Sequence, residues 1–448
     1  MSHRAERNQG ARVLAARRFA GGAAIWLASQ AIGGAPALAQ SAAQEAPPVF
    51  TVLHQFSGAD GETPFAGLAI DTSGALYGTT VAGGAFGGGV AFRLEPPSGG
   101  AAQWTQTVLH SFGAGFAETM PMAPMVFGPR GVLYGETTAG GATGAGTIFR
   151  LAPPPVGGVT WHETVLYNFQ GVDDGAFPLG GLTLGPNGAL FGVTELGGKG
   201  VNNHGTAFEV SRDATSPTTW SEVPLTEFPG PHHVRPYGKL ALDHNGALYG
   251  GTLQGGANNF GMIFKLTPPT PPATKWTFAD LHDFAGGDGV GAQFGLTLAN
   301  DGSLYGTTVQ GGTANFGVAF KLSPPVAGAT QWTETVLHNF AGGADGYLPS
   351  TGVVFGPQGV LYGASEYGGG TGCGGLGCGT LYKLSPPTPP LTQWSVSILH
   401  SFAPTDGFRP AGALTLAPDG ALFGVAAGGG DTSCGKGGGG CGTIFEYH

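Results

Sequence analysis

Short apolar segments separated by glycine-rich turns recur along almost the whole chain. The segment Leu76-Tyr77-Gly78 has six further copies, in which Leu is followed by Tyr or Phe and then Gly, and consecutive copies are 56 to 61 residues apart. These copies begin at Leu133, Leu190, Leu248, Leu304, Leu361 and Leu422. A fixed period of this kind indicates a repeat architecture in which each copy is one supersecondary unit.

Each repeat predicts four short strands. An apolar strand such as 295–298 comes first, and a turn ending in Gly, such as Asn187-Gly188, joins it to the Leu-Tyr-Gly strand. A glycine-rich loop leads to the third strand, as at 262–266, and a Pro-Pro loop leads to the fourth, as at 332–338. Asn-Gly and Asp-Gly favour tight hairpins because the backbone there takes a positive φ.

Four-stranded sheets repeated around an axis form a β-propeller. The chain has a fourth-type strand at 50–56 and a third-type strand at 443–447, so every strand type occurs seven times. The N-terminal strand can therefore complete the last blade and cover its edge. We predict an all-β fold, a seven-bladed β-propeller of four-stranded blades over residues 50–448, closed by the N-terminal strand. A β-solenoid and two smaller rings are the alternatives.

The repeat also resembles a known family. Its motifs are Asp-Gly-x-x-Pro (60–64), Gly-x-Leu-Tyr-Gly-Thr-Thr (74–80), Val-Leu-His-x-Phe (336–340) and a final Gly-Thr-x-Phe-Lys-Leu pattern. Together these motifs are similar to the GloVer tandem repeat of exported bacterial proteins, over about residues 50–447. The resemblance implies a propeller-like exported protein, and it brings no catalytic residues with it.

The first 39 residues have the pattern of a signal peptide. Five arginines precede an uncharged stretch from Phe19 to Ala39, which ends in the small-x-small sequence Ala37-Leu38-Ala39. We predict cleavage after Ala39 and a short linker over 40–49, with an uncleaved membrane anchor as the alternative. No second apolar run of spanning length follows. The expected location is therefore periplasmic or extracellular, without membrane contact once the leader is removed.

Composition narrows the class of protein. The 18 Lys and Arg residues against 28 Asp and Glu give a formal net charge of −10, which excludes a basic nucleic-acid-binding surface. The 86 glycines argue against a helical protein, and the 41% of hydrophobic residues suffices for a packed core. We expect a monomer that binds a glycan or a protein.

Strands of a propeller alternate in direction, so its loops alternate between two faces. The loops between blades and the loops between second and third strands fall together on one face, around one mouth of the central channel. All the long, variable, glycine-rich loops belong to these two types, and binding residues tend to lie on such loops above a rigid scaffold.

Aspartates recur before Gly in the loops between blades. They are Asp60, Asp174, Asp288, Asp345 and Asp406. One interpretation is a broken ring of carboxylates that binds a cation such as calcium, or sugar hydroxyls. The other is that each Asp accepts hydrogen bonds from the backbone of its own turn, as a repeated structural residue would.

Departures from the repeat indicate an asymmetric binding patch. The loop before the fourth blade contains His232, His233 and Arg235, and the neighbouring blade contributes Asn202, Asn203 and His204. These residues are candidates for ligand binding, and neutral loop variation is the alternative.

Histidines also recur near the end of the fourth strand, with Tyr167 and Thr226 in two of the seven positions. They are His54, His110, His282, His338 and His400. Neighbouring copies on the outer strand lie too far apart to share a metal ion, and a Tyr in the same position favours a packed side chain with one polar partner.

Four cysteines occupy the long loops of the last two repeats. An even number in an exported chain implies disulfides, and pairing within each loop joins Cys373 to Cys378 and Cys434 to Cys441. A zinc site made from both pairs is the alternative. No other metal or cofactor is expected.

No catalytic motif is present. The sequence has no Gly-x-Ser-x-Gly elbow, His-Glu-x-x-His pair or EF-hand loop. We therefore expect an exported non-catalytic protein that binds a glycan or another cell-envelope component on its long-loop side. The alternative is a polysaccharide hydrolase or lyase that uses carboxylates at the channel mouth.

Overall fold

The computed structural model describes residues 48–99, 103–114, 118–198, 203–213, 215–216, 218–229, 234–432, 434 and 439–448. These residues form β-strands, turns and loops, with no α-helix among them. No helix in this part of the chain is long and apolar enough to cross a membrane. The predicted signal peptide lies outside the described residues, as does most of the predicted linker.

Seven blades of a β-propeller follow one another along the chain. Each blade is one sheet except blade 2, in which β7 and β10 form a separate two-stranded sheet. Blade 1 consists of β2 (Glu62–Pro64), β3 (Ala69–Ile70), β4 (Leu76–Ala82), β5 (Val90–Glu95) and β6 (Thr105–Ser111). Blade 2 consists of β7 (Glu118–Thr119), β8 (Val126–Phe127), β9 (Leu133–Thr137), β10 (Ala139–Gly140), β11 (Thr147–Ala152) and β12 (His162–Asn168). Blade 3 consists of β13 (Ala176–Pro178), β14 (Thr183–Leu184), β15 (Leu190–Leu196), β16 (Thr206–Arg212) and β17 (Trp220–Glu227).

The remaining blades have the same order. Blade 4 consists of β18 (Pro236–Leu242), β19 (Leu248–Thr252), β20 (Met262–Thr267) and β21 (Thr277–Asp283). Blade 5 consists of β22 (Thr297–Leu298), β23 (Leu304–Thr308), β24 (Val318–Ser323) and β25 (Thr333–Asn339). Blade 6 consists of β26 (Tyr347–Pro349), β27 (Val354–Phe355), β28 (Leu361–Tyr367), β29 (Thr380–Ser385) and β30 (Ser395–Ser401). Blade 7 consists of β31 (Phe408–Leu416), β32 (Leu422–Gly428), β33 (Thr443–Tyr447) and β1 (Phe50–Gln55).

The N-terminal strand completes blade 7, which confirms the predicted closure. Strand β1 pairs with β33 in antiparallel register, with Phe50 opposite Tyr447. Just beyond this pair, Val49 N donates to His448 O at 2.7 Å, and His448 N donates to Val49 O at 3.1 Å. The ring is therefore closed inside a sheet, and β1 covers the edge that β33 would otherwise expose.

The innermost strand of every blade bulges in its middle. In blades 1, 3 and 6 two short strands pair with the same partner, and in blades 4 and 7 one continuous strand shifts register. The bulge in blade 4 lies between Tyr237 and Ala241, and the bulge in blade 7 lies between Ala411 and Thr415. Residues from the bulges of all seven blades line the central channel.

Blades pack on one another through aromatic side chains. A fully buried Phe on the third strand packs on the Gly of the Leu-Tyr-Gly segment, where a Cβ at Gly135 would lie only 2.4 Å from the Phe149 ring. The Trp that begins the fourth strand packs edge-on against the Tyr of the preceding blade, as Trp161 does on Tyr77 at a centroid distance of 6.2 Å. The repeated glycine and aromatic residues are thus explained by packing.

Candidate functional site

The loops between blades and the loops between second and third strands touch each other on one face. Gly84, in the β4–β5 loop, donates its N–H to Gly58 O in the loop before blade 1, at 2.8 Å. Phe112, in the loop between blades 1 and 2, donates to Gly89 O in the same β4–β5 loop, at 2.9 Å. We call this side of the ring, formed by these two loop types in all seven blades, the long-loop face.

Four of the five recurring aspartates on this face accept a hydrogen bond from a histidine of the outer strand that precedes them. The Nε2–Oδ distance is 3.0 Å in each of the pairs His54–Asp60, His282–Asp288, His338–Asp345 and His400–Asp406. The fifth, Asp174, accepts from the Tyr167 hydroxyl at 2.8 Å. In four repeats the histidine and the aspartate are therefore two halves of one interaction, whereas the repeat with His110 lacks the Asp.

Each aspartate also holds its own loop. Asp60 accepts the Ser57 N–H at 2.8 Å, and Asp406 accepts the Ala403 N–H at 2.7 Å. Burial acts to raise the pKa of Asp60, but the hydrogen bonds from His54 and Ser57 outweigh it and lower that pKa. Within the described residues, no three His, Cys, Asp or Glu side chains lie close enough together to hold a metal ion.

Carboxyl pairs occur where an inter-blade loop meets the outer strand of the following blade. Burial and then the charge of Asp288 raise the pKa of Glu334 to about 7. Burial and then the charge of Asp174 raise the pKa of Glu222 to about 8. Asp174 and Asp288 are the same aspartates that pair with Tyr167 and His282, so these pairs belong to the contacts between blades.

The structure describes only part of the predicted asymmetric patch. His232 and His233 lie outside the described residues. His204 is buried, and its Nδ1 lies 2.9 Å from Phe228 O. Arg235 forms an ion pair with Glu195 of the preceding blade. Asn202 also lies outside the described residues, and Asn203 Oδ1 accepts the Gly197 N–H within its own loop. Arg235 lies at the start of the blade 4 inner strand, near the mouth of the channel.

A ring of residues with positive φ surrounds that mouth, one at the start of each inner strand. They are Thr63, Met120, Phe177, Arg235, Gly291, Leu348 and Arg409. The unusual φ turns the backbone N–H toward the preceding blade, so that Leu348 N donates to Phe316 O at 3.2 Å and Arg409 N donates to Cys378 O at 3.0 Å. The strained backbone is offset by a hydrogen bond that links neighbouring blades.

Next to this ring, the inner strand of each blade forms a cross-strand pair with the end of the second strand. The seven pairs are Glu62–Ala82, Thr119–Ala139, Ala176–Leu196, Val234–Gln254, Val290–Gln310, Tyr347–Tyr367 and Phe408–Gly428. Blade 6 is the only blade with an aromatic residue on both sides of the pair. The pairs differ in every blade, so this position is not fixed by the repeat.

Three aromatic rings gather at the pair in blade 6. The Tyr347 and Tyr367 rings stack at 5.2 Å with an interplanar angle of 18°. The Phe316 ring, from the β23–β24 loop of blade 5, lies 5.2 Å from the Tyr347 ring and is 38% exposed. We call Phe316, Tyr347 and Tyr367 the aromatic cluster.

Charged groups flank the aromatic cluster. Arg409 of blade 7 donates from Nε to Glu366 Oε1 at 2.6 Å, and Glu366 directly precedes Tyr367. The Arg409 side chain is 45% exposed. An equivalent ion pair, Glu195 with Arg235, joins blades 3 and 4, but there the cross-strand pair is Ala176–Leu196. Among the residues that the structure describes on this face, an aromatic cross-strand pair and an ion pair therefore coincide only at blade 6.

Both predicted disulfides are present, which confirms the pairing within each loop. Cys373 bonds to Cys378 and Cys434 bonds to Cys441, with Cα–Cα distances of 5.2 and 5.5 Å. Cys378 O and Cys441 O accept the positive-φ N–H groups of Arg409 and Thr63. The disulfides thus anchor two of the loops that border the mouth.

A family model covers most of the chain. The model described as the Gloeobacter/Verrucomicrobia repeat matches residues 42–222 and 199–437. The chain belongs to the Gloeobacter/Verrucomicrobia repeat family. This confirms the resemblance found in the repeat motifs. No curated protein matches the chain.

Solved structures share the fold of this Gloeobacter/Verrucomicrobia repeat protein at low identity. The extracellular domain of a hybrid two-component system from B. thetaiotaomicron is 12% identical with a TM-score of 0.50, and the match covers 90% of this chain and 42% of that one. The phage phi92 endosialidase is 12% identical with a TM-score of 0.45, covering 89% and 68%. The PQQ-bound aldose sugar dehydrogenase from Streptomyces coelicolor is 14% identical with a TM-score of 0.42, covering 90% and 98%. At these identities the likeness extends to the fold alone.

The motifs of the Gloeobacter/Verrucomicrobia repeat also contained signals that sequence reasoning missed. His and Asp occur together, six or seven residues apart, in the same four repeats, and the repeat with Thr226 lacks the Asp. This co-occurrence could have identified the His–Asp pairs. The aromatic cluster needed the strand register, because Tyr347 and Tyr367 are 20 residues apart.

Proposed function

We propose that this protein is an exported, non-catalytic carbohydrate-binding propeller, in which a sugar ring stacks on the aromatic cluster. The observation that carries the proposal is the aromatic cluster itself, three rings from two blades on the long-loop face. Sugars present apolar C–H faces that pack well on flat aromatic side chains, and exposed aromatic groups on a soluble surface are typical of binding sites.

The ion pair beside the cluster supplies the polar contacts that a sugar needs. A carboxylate has about four lone-pair positions and a guanidinium has five N–H donors, so Glu366 and Arg409 keep unused hydrogen-bonding capacity while paired. Glu366 would accept from sugar hydroxyls and Arg409 would donate to them. Stacking rings with a few polar groups at one side is the usual composition of a small-molecule site.

Two observations support export and a role outside the cytoplasm. Both disulfides lie on the long-loop face, and disulfides persist in oxidising compartments. The charged and apolar pattern of residues 1–39 fits a secretory leader. The ligand would accordingly be a glycan of the cell envelope or its surroundings.

The test is a glycan array with the mature protein, followed by affinity measurements on the best ligand. Tyr347→Ala and Tyr367→Ala should each weaken binding about tenfold or more, since a central aromatic contact is worth about 1–2 kcal/mol. Phe86→Ala is the matched control, because Phe86 is a 59% exposed aromatic residue on the equivalent loop of blade 1. Equal losses in all three variants would contradict the proposed site.

A depolymerisation assay on the same polysaccharides, with and without calcium, separates binding from catalysis. Binding without release of new reducing ends supports the proposal. Release of reducing ends would instead favour the hydrolase or lyase. Binding that needs calcium would indicate that the recurring aspartates bind a cation, in addition to forming their hydrogen bonds to His and Tyr.

A further inference from the structure

One position in the wall of the central channel breaks the repeat in a single blade. Lys239 lies in the bulge of the blade 4 inner strand. The equivalent residues of the other six blades are Gly67, Pro124, Gly181, Gly295, Gly352 and Ala413. Six blades thus place a small or ring-closed residue where blade 4 places a long cationic side chain.

The channel around Lys239 is narrow and mostly apolar. Phe65, Met122, Leu179 and Phe294 contribute to the wall, and the cavity has a volume of about 80 Å³. Lys239 is the only charged residue in this lining. Its side chain remains exposed to solvent inside the channel, although blades surround it on every side.

No carboxylate of the described residues forms an ion pair with the Lys239 ammonium, and the apolar surroundings lower the pKa of Lys239. Water solvates the Lys239 ammonium in the channel, but no carboxylate of the lining supplies a counter-charge. Tyr237, Gln293 and Thr351 supply the other polar groups of the lining, and none of them is anionic at neutral pH. The charge is left for a ligand to balance.

We propose that the central channel binds a small monocarboxylate, with its carboxylate on Lys239 and its apolar part against the wall. One positive charge matches one negative charge, so a phosphate dianion would leave a charge uncompensated. The apolar side chains favour an anion that carries carbon over a fully hydrated one such as chloride. The cavity volume of about 80 Å³ leaves room for only a small ligand, such as acetate or propionate.

The experiment titrates the full mature protein with acetate, propionate and chloride by calorimetry near pH 7. Propionate should bind with a Kd of roughly 1 mM or tighter, which is within reach of a ligand of five heavy atoms. Lys239→Met should weaken this binding at least tenfold. Lys265→Met is the matched control, because Lys265 is in the same blade but lies over the Tyr249 ring outside the channel.

Unchanged propionate binding in Lys239→Met, or chloride binding as tight as propionate, would overturn the proposal. If that variant fails to fold, the wild-type protein still gives a decisive result. The ¹³Cε resonance of Lys239 reports its protonation, and propionate should raise the pKa of Lys239 because the carboxylate stabilises the ammonium. A pKa that does not move on addition of propionate would equally overturn it. Both readouts are independent of the aromatic cluster and of glycan binding.

Discussion

The inter-blade loops and the cross-strand pairs beside the mouth belong to the same repeat. One interaction of the loops recurs in several blades, whereas the residues of the cross-strand pairs do not recur. The loops keep the same interaction in four blades, an Asp that holds a His of the outer strand at 3.0 Å. The cross-strand pairs change in every blade, from Glu62–Ala82 in blade 1 to Tyr347–Tyr367 in blade 6. We infer that repeated positions hold the ring together, whereas variable positions decide what it binds.

Two phenylalanines four residues apart give the sharpest test of that division. Phe320 repeats in the core and is 1% exposed, whereas Phe316 belongs to the aromatic cluster and is 38% exposed. Phe320→Ala should lower the free energy of unfolding by about 3–5 kcal/mol, because it leaves a cavity between blades. Phe316→Ala should cost less than about 1 kcal/mol. Urea denaturation measures both.

Binding should show the reverse order for the two variants. At a temperature where both are folded, Phe316→Ala should lose affinity for the glycan and Phe320→Ala should keep it. If the two variants lost stability equally, the distinction between core and site at this loop would be wrong.

The buried carboxyl of Glu136 gives a second test. Glu136 lies in the core, at a position where the other six repeats have Thr, Val, Gly or Ala. Glu136 on β9 is 1% exposed, accepts the Gly181 N–H at 2.7 Å through Oε1, and has no partner for Oε2. Burial raises the pKa of Glu136 to about 8 from an ordinary value of 4.5, although the Gly181 hydrogen bond acts to lower it. The folded protein therefore keeps a proton that the unfolded chain releases.

The sign of the pH effect follows from that proton. Between the unfolded pKa of 4.5 and the folded pKa of about 8, stability falls as pH rises, by about 1.4 kcal/mol per pH unit from this group. Glu136→Gln should remove this loss, so its advantage over the wild type grows between pH 5 and 8. Denaturation curves across this range measure it. Glu227→Gln, at an exposed position, is the control and should show no such trend.

The third test introduces a second aromatic pair in blade 5 by substitution, and its expected effect on stability is the smallest of the three. The preceding blade already contributes Phe260, which is 40% exposed and occupies the position of Phe316. Val290→Tyr with Gln310→Tyr would complete a second cluster and should change the free energy of unfolding by less than about 1 kcal/mol. In a Tyr347→Ala background, glycan binding should partly return.

The recovered affinity should stay about tenfold below that of the native cluster. Blade 5 has Val309 at the position of Glu366, and blade 6 has Leu348 at the position of Arg409, so the polar contacts are missing. Full recovery would show that the ion pair is dispensable, and no recovery would show that stacking alone does not bind the sugar.

Most of the fold could be predicted from the sequence because repetition compensates for weak local signals. Neither the strand near residue 50 nor the strand near residue 445 shows its partner in its own sequence. Counting the strand types across seven repeats predicts that these two strands pair, as they do. The same logic placed the disulfides, since Cys373 and Cys434 occupy corresponding loop positions.

The candidate sites were harder to predict because they depend on register and on contacts between blades. Tyr347 faces Tyr367 only in the register of β26 and β28, and Phe316 reaches them from another blade. Lys239 is a different case. The equivalent residues of the other six repeats are Gly, Ala or Pro, so the unusual Lys could be recognised in the sequence. That this part of the inner strand bulges and lines the channel could not.

The pairing of β1 with β33 also bears on how this protein would associate when it is partly open. Release of β1 alone would leave the β33 edge free while the other six blades keep their strands. The best substitute for the missing strand is the β1 of a second molecule, because it has the correct register and side chains. Domain swapping through this seam would yield a dimer of two intact rings joined by exchanged first strands.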